Sequence, residues 1–225
     1  MLLPELRAEV ARYARKMAAS GLVQATQGNL SARDPASGRV CITPSGADYD
    51  TLTADDIVVV DAEGAEVEGR WKPSLETPVH CYLLRQRSDI NCVMHTHSPY
   101  ATAFGVVYQP VPMVLNESAA CLGGPVPIAP YHESGSVEFA KLVAEHLGQG
   151  TAVIWGNHGA LAVGPTLPLT YSIAHALEDT AKVYAIARSL GAPIRELPAG
   201  EVARLHAWWK AHYGQHAAAP DVSAK

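Results

Sequence analysis

Short β-prone runs joined by tight turns are the feature that most constrains how this chain can fold. Residues 24–46 hold two such runs around a turn rich in Pro, Ser and Gly, and 57–61 supply another. A parallel connection needs a dozen or more residues, so strands joined this tightly must lie antiparallel. Strands alternate with helices elsewhere in the chain. We therefore predict an α/β fold, a single layered domain with a central mixed, mainly antiparallel sheet flanked by helices.

Helical spacing of apolar residues and end signals predict the helices. They lie at 4–20, from Ser74 through Leu84, from Pro99 onward, and at about 136–147, 168–190 and 199–213. Ser74 can cap the second of these, which places Glu76 at a helix N-terminus. The Pro- and Gly-rich stretch 109–131 is predicted as a loop.

The length of the chain and the absence of a polar linker predict one domain. At 225 residues the chain can bury a substantial core, and no Gly-, Ser- or charge-rich segment interrupts it. We place the domain at 1–215. Residues 216–225 lack a periodic apolar face, so we expect them to form a flexible tail.

Composition and charge disfavour several classes of partner. Apolar residues make up 48% and charged residues 17%, as in compact globular proteins. The net charge is −5 with no basic cluster, so we expect neither a nucleic-acid nor a membrane partner. The N-terminus lacks the apolar stretch of a secretory signal, and four cysteines without a CxxC pair suit buried, reduced thiols. We therefore predict a cytoplasmic protein.

Three histidines form a candidate metal site. His95 and His97 are two apart on the predicted strand NCVMHTH, so both side chains project from one face and can reach one ion. His158 lies in the turn GNHG, where the glycines leave the backbone free to position it. Three imidazoles with an open fourth position match a catalytic zinc site, whereas a structural site closes its shell with cysteine. Glu76 is the candidate acid/base.

Each of these residues also has an ordinary structural interpretation. An isolated HxH pair is more often two partly exposed histidines on a polar strand face. His158 taken alone is an ordinary turn residue. Glu76 taken alone is a solvated glutamate at the start of a helix, where the helix dipole stabilises a negative charge. The spacing by itself therefore leaves the metal site open.

Five ordered motifs resemble those of the class II aldolase/adducin family, in particular its sugar-phosphate aldolases of the L-fuculose 1-phosphate type. The motifs are QGNLS, ITPSG, KPSLETPVH, VMHTHS and GNHG, and the resemblance covers nearly the whole chain. It implies a metal-dependent aldehyde-lyase of carbohydrate metabolism, which makes or cleaves a carbon–carbon bond of a ketose phosphate or related hydroxyketone through a zinc-stabilised enediolate. His95, His97 and His158 match the family's zinc ligands, and Glu76 matches its acid/base. The expected cofactor is Zn²⁺, with Mn²⁺ or Co²⁺ as alternatives.

The resemblance also implies a phosphate pocket and an assembly. The pocket's positions match Gly28, Asn29, Ser45, Gly46 and Ser74. Leu75 replaces the second of two adjacent serines and so removes one hydroxyl donor. The resembling aldolases are homotetramers with active sites at subunit interfaces, which makes Tyr213 a candidate proton donor to a neighbouring site. Glu117 stands where those enzymes carry another tyrosine.

The resemblance leaves several activities open. Epimerases of the family carry Asp where this chain has Glu76, which lowers that interpretation. Dehydratase or decarboxylase activity on a sugar phosphate stays open, as do the identities of the donor and the aldehyde. A non-catalytic, adducin-like oligomeric binding module is the alternative of another class, and we would expect it to have lost the histidines and Glu76. Metal-assisted hydrolysis is chemically feasible, because three histidines can hold a metal that activates water, but the motifs give it little support.

Overall fold

Helices and strands alternate through the part of the chain that the computed structural model describes, residues 1–212. The helices are α1 (Pro4–Ala19), α2 (Thr77–Gln86), α3 (Pro99–Val106), α4 (Asn116–Leu122), α5 (Val137–Leu147), α6 (Leu167–Ser189) and α7 (Ala199–His212). The strands are β1 (Asn29–Arg33), β2 (Val40–Ile42), β3 (Val58–Val60), β4 (Glu66–Glu68), β5 (Cys92–Thr96), β6 (Ile128–Ala129), β7 (Ala152–Trp155) and β8 (Gly159–Gly164). Two 3-10 turns cover Tyr49–Thr51 and Ala54–Asp56.

These strands form one sheet in the order β4-β3-β2-β1-β5-β8-β7-β6. Only β6 and β7 pair in parallel within the described residues, and the other neighbours are antiparallel. The predicted hairpin is the β1–β2 pair, in which Ser31 lies opposite Ile42. The prediction of a mixed, mainly antiparallel sheet is therefore confirmed.

Helices cover both faces of the sheet, and the side chains of β5 alternate between two apolar cores. Met94 belongs to the core shared with α1 and α6, whereas Val93 belongs to the core that includes Phe139 of α5. By the same alternation His95 projects to the Val93 side. There its ring stacks on Trp155, with centroids 4.2 Å apart. The single layered α/β domain is confirmed, and the fold brings His95 into its interior.

The stretch 109–131 is not the plain loop that its composition predicted. It contains α4 and the short strand β6, and α4 ends at Gly123, whose φ of +77° gives a left-handed cap. Long-range contacts hold α4 in place, since Ser118 Oγ donates to the carbonyl of Ala176 at 3.3 Å. A helix of seven residues between Pro and Gly is too short for its periodicity to outweigh the flanking composition.

Helix α2 begins two residues later than a Ser74 cap predicted. Its first residue is Thr77 and Glu76 is the preceding cap residue, so Glu76 does lie at a helix N-terminus. Ser74 organises the turn before the helix instead. Its hydroxyl accepts the Glu76 N–H at 3.2 Å, and its carbonyl accepts the Thr77 N–H at 3.1 Å. The expectation that Pro78 falls in the first turn is correct.

The four cysteines are free and buried, as predicted. Burial raises the pKa of Cys41, Cys81 and Cys92 to about 12 and that of Cys121 to about 11. Among residues 1–212, no helix combines the length and apolar character that a membrane span requires. Tyr213, the domain end at 215 and the predicted tail lie outside the described residues, so those expectations stay predictions.

Candidate metal centre

The C-terminal end of β5 brings the first two histidines together. His95 is the fourth residue of the strand, and His97 follows the strand's last residue with its N–H bonded to the carbonyl of Leu22 at 3.0 Å. The two Nε2 atoms lie 2.9 Å apart. Although His97 is one residue beyond the strand, the predicted convergence of the two imidazoles is present.

The turn between β7 and β8 adds His158 to the pair. Asn157 has a φ of +56°, a left-handed conformation that reverses the chain within this turn. A Cβ at Gly159 would lie 2.9 Å from the His95 ring, so only glycine allows this close approach. One nitrogen from each of His95, His97 and His158 lies within 4.8 Å of the others. The structure thus clusters the three histidines that the sequence analysis selected.

Burial of His95 and His97 favours the neutral imidazole that metal binding requires, and a hydrogen bond fixes the tautomer of His95. His95 is fully buried, and its Nδ1 lies 2.9 Å from the carbonyl of Ala160. Since a carbonyl only accepts, Nδ1 must donate, which leaves the Nε2 lone pair free to face the cluster. Burial, followed by the neighbouring histidines, holds the pKa of His95 well below its usual range, and burial also lowers the pKa of His97. The neutral imidazole is the form that binds a divalent transition metal.

Glu76 faces the same cluster from the start of α2. Its Oε2 lies 3.4 Å from His95 Nε2, and its Oε1 lies 3.4 Å from His158 Nε2. Asn29 Nδ2 donates to Oε2 at 2.7 Å, which fixes the carboxylate from the β1 side. Burial raises the pKa of Glu76, while Asn29 and the histidines oppose that change. The site therefore holds a buried carboxylate whose basicity exceeds that of an ordinary surface glutamate.

An open cleft of about 160 Å³ adjoins the cluster. Its lining includes all five positions of the predicted phosphate pocket, namely Gly28, Asn29, Ser45, Gly46 and Ser74. It also includes Glu76, His95 and His97, so substrate groups in the cleft would contact the candidate metal ligands. Leu75 lies on the wall with 77% of its surface exposed. An apolar side chain thus stands where the resemblance implied a second serine.

Several residues at the site had no place in the sequence analysis. The cleft is also lined by Thr26, Pro44 and Ser134. Thr26 lies in the same turn-rich stretch as Gly28, so the motif could have pointed to it, whereas nothing local marks Ser134. Behind the cluster, buried His80 has its Nδ1 2.7 Å from Ser31 Oγ. Because burial lowers its pKa to about 3, this histidine is neutral near pH 7.

Of the remaining sequence candidates, only Glu117 falls within the described residues, and it lies away from the cleft. Glu117 lies on α4 and faces a separate groove with Trp208 and Trp209 of α7. Tyr213 lies beyond the described residues. Within residues 1–212, the site of one chain therefore consists of the three histidines, Glu76 and the polar cleft.

The chain combines a mixed β-sheet flanked by helices with a buried glutamate beside three clustered histidines. This combination is that of an α/β protein with a candidate metal centre. Residues 8–185 match the family described as Class II Aldolase and Adducin N-terminal domain. The chain belongs to this family, and the predicted resemblance is confirmed.

The similarity to known relatives and to solved structures extends over nearly the full length of this chain. The chain is 35% identical to a 5-deoxy-D-ribulose 1-phosphate aldolase of Bacillus thuringiensis, over 91% of this chain and 95% of that protein. It is 33% identical to a 5-methylthioribulose-1-phosphate/5-deoxyribulose-1-phosphate aldolase of Rhodospirillum rubrum, over 94% and 93%. A solved L-fuculose 1-phosphate aldolase superposes with a TM-score of 0.87 at 33% identity, covering 92% of this chain and 96% of that one.

Proposed function

We propose that the protein is a metal-dependent aldolase that makes or cleaves a carbon–carbon bond of a ketose 1-phosphate. The observation that carries this proposal is the position of the Glu76 carboxylate, 3.4 Å from both His95 Nε2 and His158 Nε2. An acid/base group beside a set of metal-binding nitrogens is what proton transfer next to a carbonyl requires. Membership of the class II aldolase family supports the same conclusion.

His95, His97 and His158 would hold the metal, and Zn²⁺ is our proposal for its identity. The donor set contains no cysteine, which suits a catalytic rather than a structural site. A bound divalent ion would supply Lewis acidity toward the carbonyl and hydroxyl oxygens of the substrate. Mn²⁺ and Co²⁺ fit the same imidazoles.

Glu76 would move the proton of the reaction. In the synthetic direction its carboxylate would take a proton from the carbon next to the donor's carbonyl, and in cleavage it would return one. Asn29 holds Oε2 at 2.7 Å and so aims the carboxylate. Burial raises the pKa of Glu76, which suits a group that must both take and return a proton.

The cleft would bind the phosphate end of the substrate through Gly28, Asn29, Ser45, Gly46 and Ser74. The serine hydroxyls, the Asn29 amide and the backbone N–H groups of the two glycines, both of which have positive φ, provide hydrogen-bond donors. None of these donors carries a positive charge. The names of two relatives make 5-deoxyribulose 1-phosphate and 5-methylthioribulose 1-phosphate the first substrates to test. Leu75 removes one donor, so we propose a weaker preference for phosphorylated donors than a second serine would give.

A homotetramer is the proposed assembly, with active sites at subunit interfaces in the cytoplasm. Exposed apolar side chains near the His158 turn support a contact with a second copy. Tyr131 is 66% exposed and Val107 is 66% exposed, while Tyr108 accepts the Tyr131 N–H and lies against Gly156 of the same turn. Tyr213 remains our candidate for a proton donor from the neighbouring subunit.

The same site can support neighbouring activities. A putative aldolase/epimerase/decarboxylase, YgbL of Escherichia coli, superposes with a TM-score of 0.82 at 29% identity, over 92% of this chain and all of that one. We rank aldol cleavage first because Glu76 is a glutamate, whereas the family's epimerases carry aspartate. Product analysis distinguishes these outcomes, since only aldol cleavage releases dihydroxyacetone phosphate and an aldehyde.

The test combines metal analysis with a substrate panel. The purified protein should contain about one divalent metal ion per subunit, as expected for a three-ligand catalytic site. Incubation with 5-deoxyribulose 1-phosphate should release dihydroxyacetone phosphate, and removal of the metal by a chelator should abolish that release until zinc is restored. Full activity in metal-free protein would refute the proposed mechanism. A monomer with full activity would refute the proposed assembly.

A further inference from the structure

Three segments form the polar side of the cleft, and each comes from a different part of the chain. The first is the Gly28–Asn29 bend at the start of β1, the second is the Ser45–Gly46 turn after β2, and the third is the approach to α2 at Ser74. None of these segments can set its own distance from the other two. Something in the fold must hold them together.

Thr43 bonds to Leu30, the residue that follows the first segment, and to Ser74 of the third segment. Its N–H donates to the carbonyl of Leu30 at 3.0 Å, and its hydroxyl accepts the Leu30 N–H at 3.1 Å. Its carbonyl accepts the N–H of Ser74 at 3.2 Å. Thr43 is fully buried and lies two residues before Ser45, so the side chain and backbone of this one residue connect Leu30, the Ser45 turn and Ser74.

Tyr49 completes this link from the 3-10 turn that follows β2. Its hydroxyl donates to the carbonyl of Gly28 at 2.7 Å and lies 3.3 Å from Thr43 Oγ1. The ring is 2% exposed, and burial raises the pKa of the phenol to about 12, so the group stays protonated at neutral pH. Gly28 has a φ of +71°, and a Cβ there would lie 2.7 Å from the His95 carbonyl. The bend that Tyr49 holds therefore lies against the metal-binding strand.

We propose that Tyr49 and Thr43 are positioning residues that hold the three cleft segments at the spacing a phosphate group requires. Neither residue lines the cleft, so each acts through the backbone of Gly28, Leu30 and Ser74 rather than by contact with substrate. The inference rests on the proposed function for the identity of the anion. The buried hydroxyls of Tyr49 and Thr43 would hold the pocket in its binding geometry before the substrate arrives.

Two substitutions remove one hydroxyl each and little else. Tyr49→Phe and Thr43→Val should raise KM for 5-deoxyribulose 1-phosphate about fivefold to tenfold, the usual net effect of one hydrogen bond. The turnover number and the metal content should stay close to wild type, because Glu76 and the histidines are unchanged. Thr43→Ser keeps the hydroxyl and should restore most of the lost affinity. Tyr184→Phe, which alters a buried tyrosine bonded to Gln109, serves as the matched control.

Binding of inorganic phosphate, measured by calorimetry, tests the inference without turnover. Tyr49→Phe and Thr43→Val should weaken phosphate binding by the same factor as they raise KM, whereas Tyr184→Phe should not. Equal losses for phosphorylated and unphosphorylated substrates, or unchanged phosphate binding in both variants, would overturn the inference. Wild-type protein that binds phosphate but cleaves no ketose phosphate would overturn the proposed function instead. If Tyr49→Phe does not fold, the comparison of Thr43→Val with Thr43→Ser gives the same answer.

Discussion

Replacing Glu76 by glutamine isolates the role of its carboxylate. The side chain is 7% exposed and accepts a hydrogen bond from Asn29 at 2.7 Å. Glutamine preserves the size of the side chain, and its amide can still form a hydrogen bond with Asn29. The Asn29 Oδ1 atom has no hydrogen-bond partner within the described structure, so it is able to accept from the new amide N–H. We expect the charge-assisted bond to become a neutral one, at a cost of about 1 kcal/mol. For a domain of this size that corresponds to a melting-temperature decrease of about 2–4 °C.

The effect of Glu76→Gln on catalysis should be far larger than its effect on stability. An acid/base group commonly contributes roughly 10²–10⁴-fold to the rate, equivalent to about 3–5 kcal/mol. The variant should therefore keep the fold and most of the metal while losing nearly all turnover. The direct assay follows the exchange of a carbon-bound proton of dihydroxyacetone phosphate with D₂O by ¹H NMR, since this step needs the base but not the aldehyde.

The matched control is Glu63→Gln, which removes an exposed carboxylate from the turn between β3 and β4. It should exchange the donor proton at the wild-type rate. Wild-type exchange by Glu76→Gln would refute the assignment of Glu76 as the base. Complete loss of metal from Glu76→Gln would instead show that the carboxylate serves mainly as a ligand.

Three further predictions follow from the described contacts. Alanine in place of any one of the three clustered histidines should lower both metal content and activity, which elemental analysis and rate assays will check; full occupancy in all three variants would contradict the site. Leu75→Ser should raise the preference for dihydroxyacetone phosphate over dihydroxyacetone by about tenfold, measured as a ratio of kcat/KM values, because it adds one donor to the pocket. Asp56→Asn should lower the free energy of unfolding by about 1.5–3 kcal/mol at pH 7, measured by urea denaturation, since Thr53, Arg70 and Trp71 all donate to this carboxylate. Although burial opposes it, these hydrogen bonds lower the pKa of Asp56 in the folded protein. The difference from wild type should therefore shrink as the pH falls below about 4, where the carboxylate of the unfolded chain becomes protonated while that of the folded protein is still ionised.

The sequence by itself determined the features that depend on neighbouring residues. Alternation along NCVMHTH placed His95 and His97 toward one ion, and the glycines around His158 indicated a turn able to present a side chain. The short connection between β1 and β2 was sufficient to predict an antiparallel hairpin. Pro78 and the residues around it were enough to place Glu76 at a helix start.

Only the tertiary structure decided which of these features meet. Nothing in the spacing of the motifs shows that His158 approaches His95, that Asn29 holds Glu76, or that Tyr49 holds the bend at Gly28. The helix α4 was missed for the same reason, because distant partners stabilise a segment whose own composition predicts a loop. Periodicity and turn propensity report interactions within a few residues, whereas these contacts depend on the path of the whole chain and on the burial that excludes water from them.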